Sequence, residues 1–138
     1  MRPVYVSYKC KPPQEVPLGD CYSQQNVACG KEERPGEAIY YFPCGRLAVK
    51  RSVAMFSGPS ECDPARYGLE CTPYQMIFVM RPLGQPKEGC IVGDDGRALQ
   101  LRVECYGKKI IARYFPSRGT LVVFGPGEEC LQKALLCF

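Results

Sequence analysis

Ten cysteines are the residues whose chemistry is easiest to infer from this sequence. Thiols bind zinc, act as nucleophiles or oxidise in pairs, and their spacing separates these outcomes. A structural zinc site needs short C-x₂₋₄-C pairs, because one turn must present two sulfurs to one ion. No such pair occurs here, so the even number and wide scatter predict about five disulfides. The cysteines that we assign to disulfides are Cys10, Cys21, Cys29, Cys44, Cys62, Cys71, Cys90, Cys105, Cys130 and Cys137.

Histidine, the usual general base near neutral pH, is absent from the sequence. Ser-His-Asp and Cys-His nucleophiles are therefore excluded. No glycine-rich phosphate-binding motif is present either. The 14 acidic residues leave a two-carboxylate hydrolase open, although isolated Asp and Glu in loops are usually solvated. We expect a protein that is not an enzyme, with no catalytic residues, no metal and no cofactor.

The cysteine pattern also indicates a compartment, because disulfides persist in oxidising surroundings. We therefore expect a secreted, extracellular protein. The opening residues from Met1 to Tyr5 lack the apolar run of a signal peptide. We interpret the chain as a mature secreted form with Met1 added for expression. No stretch approaches the ~18–20 apolar residues of a membrane span, so we expect none.

The length of 138 residues is that of one ordinary domain, and we predict a single domain over residues 1–138. The net charge of +4 comes from 18 basic and 14 acidic side chains. Nucleic-acid-binding proteins usually carry a denser basic stripe than this. We therefore expect no nucleic-acid partner, and we expect a monomer.

Residues 90–124 predict an antiparallel meander. Apolar residues alternate with polar ones from Leu99 to Cys105, which is the period of a half-buried strand. Pairing Glu104 opposite Lys109 gathers the apolar side chains on one face, and a shift by one residue would destroy that face. A two-residue turn would place Tyr106 at positive φ, so we expect a four-residue loop. Phe115 pairs with Thr120 in the next hairpin.

Other segments have strand or helix patterns. Leu47–Phe56 is ambiguous, because its apolar spacing also suits a helix. Three short helices are predicted from capping signals. With the meander they predict an α+β fold, an antiparallel sheet with short helices packed on it. The helices are Gln24–Cys29 capped by Ser23, a turn from Asp63-Pro64 through Leu69, and Glu128–Cys137; the further strands are Val4–Tyr8, Ala38–Phe42 and Gln75–Met80.

Two segments are candidates for binding. The second face of the meander contains Ile111, Val122 and Phe124 beside basic residues. If a helix covers this face it is core, which is the commoner outcome; uncovered, it is an aromatic and basic patch typical of interfaces. The other candidate is Tyr40-Tyr41-Phe42, which we interpret as structural. The candidate binding surface that we assign is Lys108, Lys109, Arg113, Phe115 and Arg118.

These features together resemble small secreted cysteine-rich effectors of plant-pathogenic fungi. The resemblance rests on the length, the dispersed cysteines, the lack of catalytic residues and the segment from Lys9-Cys10 to Cys21-Tyr22. More narrowly, the chain is similar to the LARS avirulence effectors, whose antiparallel sheet is wrapped by helices and joined by disulfides. Members of that family carry a Trp-Arg motif, and Ala112-Arg113-Tyr114 is its distant counterpart in this tryptophan-free chain.

The resemblance implies secretion by a fungus, no enzymatic activity, suppression of host defence and recognition by a host resistance protein. It also implies that a host protein, either an immune receptor or a defence target, is the partner. Effectors of this kind act in the host apoplast or after entry into host cells. The alternatives are a secreted protease inhibitor presenting a loop such as Arg81–Glu88, or a receptor ligand or toxin with a similarly rigid surface.

Overall fold

The computed structural model describes residues 1–20 and 27–138. Cys21 and the first half of the predicted helix Gln24–Cys29, with its capping residue Ser23, lie outside the described residues. The chain divides into two compact units. We call Tyr5–Tyr74 the N-terminal unit, and Met1–Val4 with Gln75–Phe138 the C-terminal unit. The prediction of a single domain over residues 1–138 stays a prediction.

The N-terminal unit is an antiparallel sheet around an aromatic core. Phe56 is completely buried, and its ring lies 6.1 Å from Phe42, 6.2 Å from Tyr8 and 6.2 Å from Tyr67. Tyr67 also stacks on Phe42 at 4.5 Å. The strands lie in the order β2-β3-β4-β5-β1. Their bounds are β1 Tyr5–Cys10, β2 Gly30–Arg34, β3 Glu37–Tyr41, β4 Arg46–Lys50 and β5 Val53–Pro59.

The C-terminal unit is a second antiparallel arrangement, in the strand order β6-β10-β9-β8-β7. Strand β6 begins at Cys71 and enters this unit at Gln75. Its single described α-helix, α1, packs against β8 and β10. The bounds are β6 Cys71–Met80, β7 Ile91–Asp94, β8 Leu99–Cys105, β9 Lys108–Phe115, β10 Thr120–Gly125 and α1 Glu128–Leu135.

The predicted meander and its register are confirmed. Leu101 lies opposite Ala112, and Glu104 lies opposite Lys109. Thr120 lies opposite Phe115 in the next hairpin. The alternation of apolar and polar residues was sufficient here, because a shift of one residue would have placed charged side chains in the core.

The predicted α+β class is wrong, because the protein is largely β. Of the described residues, 49% lie in strands and 11% in helices, counting α1 and the 3₁₀ helices together. The segment after Asp63 forms only the 3₁₀ helix Pro64–Tyr67, which Gly68 ends with a φ of 74° that favours glycine. A second 3₁₀ turn covers Glu88–Cys90. The Leu47–Phe56 segment, ambiguous in the sequence, is divided between strands β4 and β5.

The other two helix predictions have different outcomes. The predicted helix at Glu128–Cys137 is present as α1, which ends at Leu135. Its first turn carries Glu128 and Glu129, whose negative charge suits the positive end of the helix dipole. In the described end of the predicted Gln24–Cys29 helix, Ala28 forms a parallel bridge with Leu18 and is not helical.

The loop predicted at Tyr106 is also wrong. Cys105 pairs with Lys108, so the turn has two residues, and Tyr106 has a φ of 50°. The backbone N–H of Tyr106 donates to Glu129 Oε2 at 2.7 Å. A Cβ on Gly127 would collide with the Tyr106 hydroxyl, so the ring lies directly over that glycine. Contacts with the start of α1 therefore hold a conformation that local preference disfavours.

Candidate binding face

Four disulfides join eight of the nine described cysteines. In the N-terminal unit they are Cys10–Cys71 and Cys44–Cys62; in the C-terminal unit they are Cys90–Cys137 and Cys105–Cys130. Cys29 is also disulfide-bonded. The prediction of a cysteine-rich, disulfide-bonded protein is confirmed for these residues, and the bonds are compatible with an extracellular location.

Helix α1 covers one face of the C-terminal sheet, which we call the inner face. Cys130, Leu131 and Ala134 are buried on the helix, and Cys105–Cys130 joins α1 to strand β8. The strand residues in the same core lie on alternate positions, as a single sheet face requires. They include Leu101, Val103, Ala112, Tyr114, Leu121 and Val123.

The opposite face, which we call the outer face, carries apolar side chains that stay exposed. Ile111 is 49% exposed and Phe124 is 51% exposed. Val79 and Val122 lie opposite each other on neighbouring strands and are half-buried. The favoured prediction that this face is core is therefore wrong for Ile111 and Phe124. The reason is that the one α-helix among the described residues packs on the inner face.

The structure brings together only part of the predicted binding surface. Lys109, Arg113 and Phe115 lie on the outer face with Ile111, because they occupy alternate positions of β9. Lys108 pairs with the buried Cys105, so it belongs to the inner side of β9. Arg118 lies in the turn between strands β9 and β10, so it belongs to neither face. All four basic side chains of this group are exposed.

Arg113 is the basic residue with the most contacts on the outer face. Its guanidinium forms an ion pair with Asp95 and lies 5.6 Å from the Phe115 ring centre. The backbone N–H groups of Ala98 and Arg97 each donate to Asp95 Oδ1 at 2.9 Å. These two hydrogen bonds, Ala98 first, and then Arg113, lower the pKa of the Asp95 carboxyl. The charge of Arg113 is thus compensated within the chain.

The basic side chains around Ile111 nevertheless outnumber the acidic ones. Arg102 lies opposite Ile111, and Lys109 lies opposite Glu104, on the same face. Arg102, Lys109 and Glu104 form no ion pair with another described residue. Two apolar side chains flanked by unpaired cations can bind a partner that combines apolar and acidic groups.

In the Tyr40-Tyr41-Phe42 segment, the predicted structural role is confirmed for Tyr40 and Phe42, whereas Tyr41 is exposed. Phe42 is buried in the aromatic core, and Tyr40 is half-buried beside Lys31, whose Nζ is 5.4 Å from the ring centre. Tyr41 points outward, and its hydroxyl donates to Glu32 Oε2 at 2.7 Å. This hydrogen bond raises the pKa of Tyr41 and lowers the pKa of Glu32.

The loop 81–87 presents an exposed apolar side chain, Leu83, that is 95% exposed. The base of this loop is held in place, because Pro86 is buried and the Lys87 N–H donates to the Cys137 carbonyl at 2.6 Å. The sequence indicated the loop but did not single out Leu83. Its position between Pro82 and Gly84, two turn-forming residues, is the signal that pointed to it.

Comparisons with known proteins do not place this chain in a family. No protein-family model matches it, and neither a curated protein nor a solved structure shows significant similarity to it. The resemblance to the LARS effectors therefore stays a prediction. Among residues 1–20 and 27–138, no helix is both long and apolar enough to cross a membrane. The same residues contain no cluster of acidic or cysteine side chains arranged to hold a metal ion.

Proposed function

We propose that this protein is a secreted, non-enzymatic effector of a plant-pathogenic fungus that acts on host immunity by binding a host protein through the outer face. The observation that carries the proposal is the pair of large, half-exposed side chains Ile111 and Phe124 on the outer face. Arg102 and Lys109 place positive charge beside them.

Burial of these side chains supplies the affinity. Each Å² of apolar surface removed from water contributes about 25 cal/mol, and large apolar and aromatic side chains are enriched at the centres of interfaces. The outer face lies on hydrogen-bonded strands, and Cys105–Cys130 holds α1 to the opposite side. A surface that is already ordered loses little conformational entropy when a partner binds.

Two further features support the extracellular and non-enzymatic parts of the proposal. The disulfides suit an oxidising, protease-rich environment, since each typically contributes ~2–4 kcal/mol of stability. The lack of histidine removes the commonest nucleophile activation. The fungal source and the effect on immunity come from the resemblance in sequence style.

The test uses the oxidised protein and a variant of the outer face, I111S/F124S. Both positions are half-exposed, so the variant should fold. The control is V53S/L136S, which removes two other exposed apolar side chains, 53% and 67% exposed. Protein is infiltrated into leaves, and the oxidative burst triggered by chitin fragments is measured.

We expect the wild type and V53S/L136S to suppress the burst, and I111S/F124S to lose suppression. Equal suppression by I111S/F124S would remove the outer face from the function. A wild-type protein without effect across a panel of plant species would contradict the effector proposal itself.

A second candidate function, a secreted protease inhibitor, is favoured by Leu83. An exposed leucine on an anchored loop matches the way such inhibitors offer one side chain to a specificity pocket. The assay is inhibition of secreted serine proteases that cleave after leucine, with the wild type and L83D. Sub-micromolar inhibition that L83D abolishes would establish this function. The absence of inhibition by the wild type would exclude it for the proteases assayed.

A further inference from the structure

A cavity lies at one end of the C-terminal sheet, where the β7–β8 and β9–β10 turns form its two walls. We call it the end cavity. Its volume is about 630 Å³, within the ~300–1,000 Å³ typical of small-molecule sites. One wall comes from residues 94–99 and the other from residues 115–118. The lining residues are Asp94, Gly96, Arg97, Ala98, Leu99, Phe115, Pro116, Ser117 and Arg118.

The β7–β8 wall is held by side-chain-to-backbone hydrogen bonds. Asp94 Oδ1 accepts from the Gly96 N–H at 2.8 Å, and Asp95 accepts from Arg97 and Ala98. The Asp95 N–H donates to the Ala98 carbonyl at 3.2 Å. Asp turns of this kind fix the backbone, so this wall exists before any ligand arrives.

The β9–β10 wall is equally ordered. The Arg118 N–H donates to the Phe115 carbonyl at 3.1 Å, and the Gly119 N–H donates to the Pro116 carbonyl at 3.3 Å. The Thr120 hydroxyl donates to the Arg118 carbonyl at 3.2 Å. Arg118 is thus carried on a turn whose backbone is fixed on both sides.

The charges in the end cavity favour an anion. Arg97 and Arg118 form no ion pair with any described residue, in contrast to Arg113, which is paired with Asp95. A guanidinium presents several N–H donors in a plane that matches carboxylate and phosphate oxygens. Asp94 is the one acidic residue in the lining and opposes an anion.

The remaining lining is suited to an apolar group. Leu99 and Phe115 are half-buried, and Ala98 is buried. Ser117 adds a hydroxyl that donates or accepts a hydrogen bond. Apolar walls with a few polar groups are the usual composition of a ligand site, where the polar groups set orientation and the apolar groups add affinity.

We propose that the end cavity binds an oxyanion, either a carboxylate or a phosphate, that is attached to an apolar group such as an aromatic ring. Arg97 and Arg118 bind the oxyanion, and Phe115 contacts the apolar group. The site shares Phe115 with the outer face but uses neither Ile111 nor Phe124, so either proposal can fail without the other.

The experiment titrates the oxidised protein with phenyl phosphate and with benzoate at low salt, following backbone amide shifts by NMR. Two half probes serve as controls. Inorganic phosphate has the oxyanion without an apolar group, and benzyl alcohol has the aromatic ring without an anionic group. We expect saturable shifts at residues 94–99 and 115–118 with the two complete probes, and affinities at least about tenfold weaker with the two half probes. The stronger of the complete probes identifies phosphate or carboxylate as the preferred group.

Three variants locate the site. R97Q/R118Q should weaken binding of the better probe by at least about tenfold. R46Q/R66Q removes the same charge from exposed positions of the N-terminal unit and should change binding by less than about twofold. D94N removes the opposing charge and should strengthen binding, because an amide oxygen can still accept from Gly96.

Two results would overturn the proposal. One is the absence of saturable shifts in the end cavity with either complete probe. The other is an equal affinity of R97Q/R118Q and the wild type, which would assign the binding to general positive charge or to another surface.

Discussion

The two units build their hydrophobic cores from different side chains. The N-terminal unit fills its core with aromatic rings around Phe56. The C-terminal unit packs α1 onto a sheet face that is mostly aliphatic and also contains Phe78 and Tyr114. The disulfides of the two units also join different kinds of element. Cys105–Cys130 joins a helix to a strand, whereas Cys44–Cys62 joins two loop segments beside the aromatic core.

The comparison also separates stability from function. The C-terminal unit leaves Ile111 and Phe124 half-exposed on a sheet face, whereas the rings of Phe42, Phe56 and Tyr67 are buried in the core of the N-terminal unit. An apolar side chain that is left in water contributes little to folding. The exposed pair is therefore available for binding, and the following predictions test that division.

The largest effect should come from truncating the same residue type in the two units. F56A should lower the free energy of unfolding by about 4 kcal/mol, because it leaves a cavity among Tyr8, Phe42 and Tyr67. F124A should lower it by less than about 1 kcal/mol, because Phe124 is half-exposed. Denaturant unfolding measures both values. Equal losses would show that Phe124 belongs to the core and not to a binding face.

Removal of one disulfide from each unit should cost about 3 kcal/mol in both cases but act on different segments. C105A/C130A should also increase hydrogen exchange in α1, because it deletes the bond between the helix and strand β8. C44A/C62A should leave exchange in α1 unchanged. Similar exchange of α1 in both variants would mean that apolar packing holds the helix without help from the disulfide.

A smaller effect distinguishes the two residues at positive φ that are not glycine. Arg51 has a φ of 49° and Tyr106 has a φ of 50°. R51N should stabilise the protein by about 0.5–1 kcal/mol, since asparagine tolerates this conformation better. Y106N relieves the same backbone strain but removes the ring that lies over Gly127. It should therefore stabilise the protein by about 1 kcal/mol less than R51N does. Thermal unfolding measures the difference, and identical shifts would contradict the contact at Gly127.

The smallest effect is on pH dependence, because the carboxylates concerned are exposed. The pKa of Asp95 is lowered by N–H donors and Arg113, so its stabilisation is present above the ordinary carboxyl pKa. It is lost as the pH falls through the lowered value. D95N should melt below the wild type at neutral pH, and the gap should close in acid. E32Q should show the same pH pattern in the N-terminal unit, because the Tyr41 hydroxyl and Arg34 lower the pKa of Glu32. A difference in melting temperature between variant and wild type that stays constant with pH would contradict this linkage.

The meander was predictable from the sequence for a physical reason. Alternating apolar residues allow only one register, since any other places charge in the core. Strand β2 was missed because its residues, Gly30–Arg34, are mostly charged. It lies at an edge of the strand order, where charged side chains are common and protect against pairing with other chains.

The candidate site was only partly predictable. The sequence placed Ile111, Arg113 and Phe115 on one strand face, and the structure agrees. It also grouped Lys108 with them, although Lys108 lies on the inner side. The end cavity could not be anticipated, because Arg97 and Arg118 come from separate turns that only the folded sheet brings together.

The sequence alone was sufficient to predict properties that depend on residues close together along the chain. It specified oxidised cysteines, the strand register of the meander and a helix beginning at Glu128. The folded chain decided which sheet face α1 covers and whether Tyr106 accepts a strained backbone. Both outcomes depend on contacts between residues far apart in sequence, such as Cys105 with Cys130 and Tyr106 with Glu129. Such contacts override local preference, because their combined energy exceeds the ~1–2 kcal/mol cost of one strained residue.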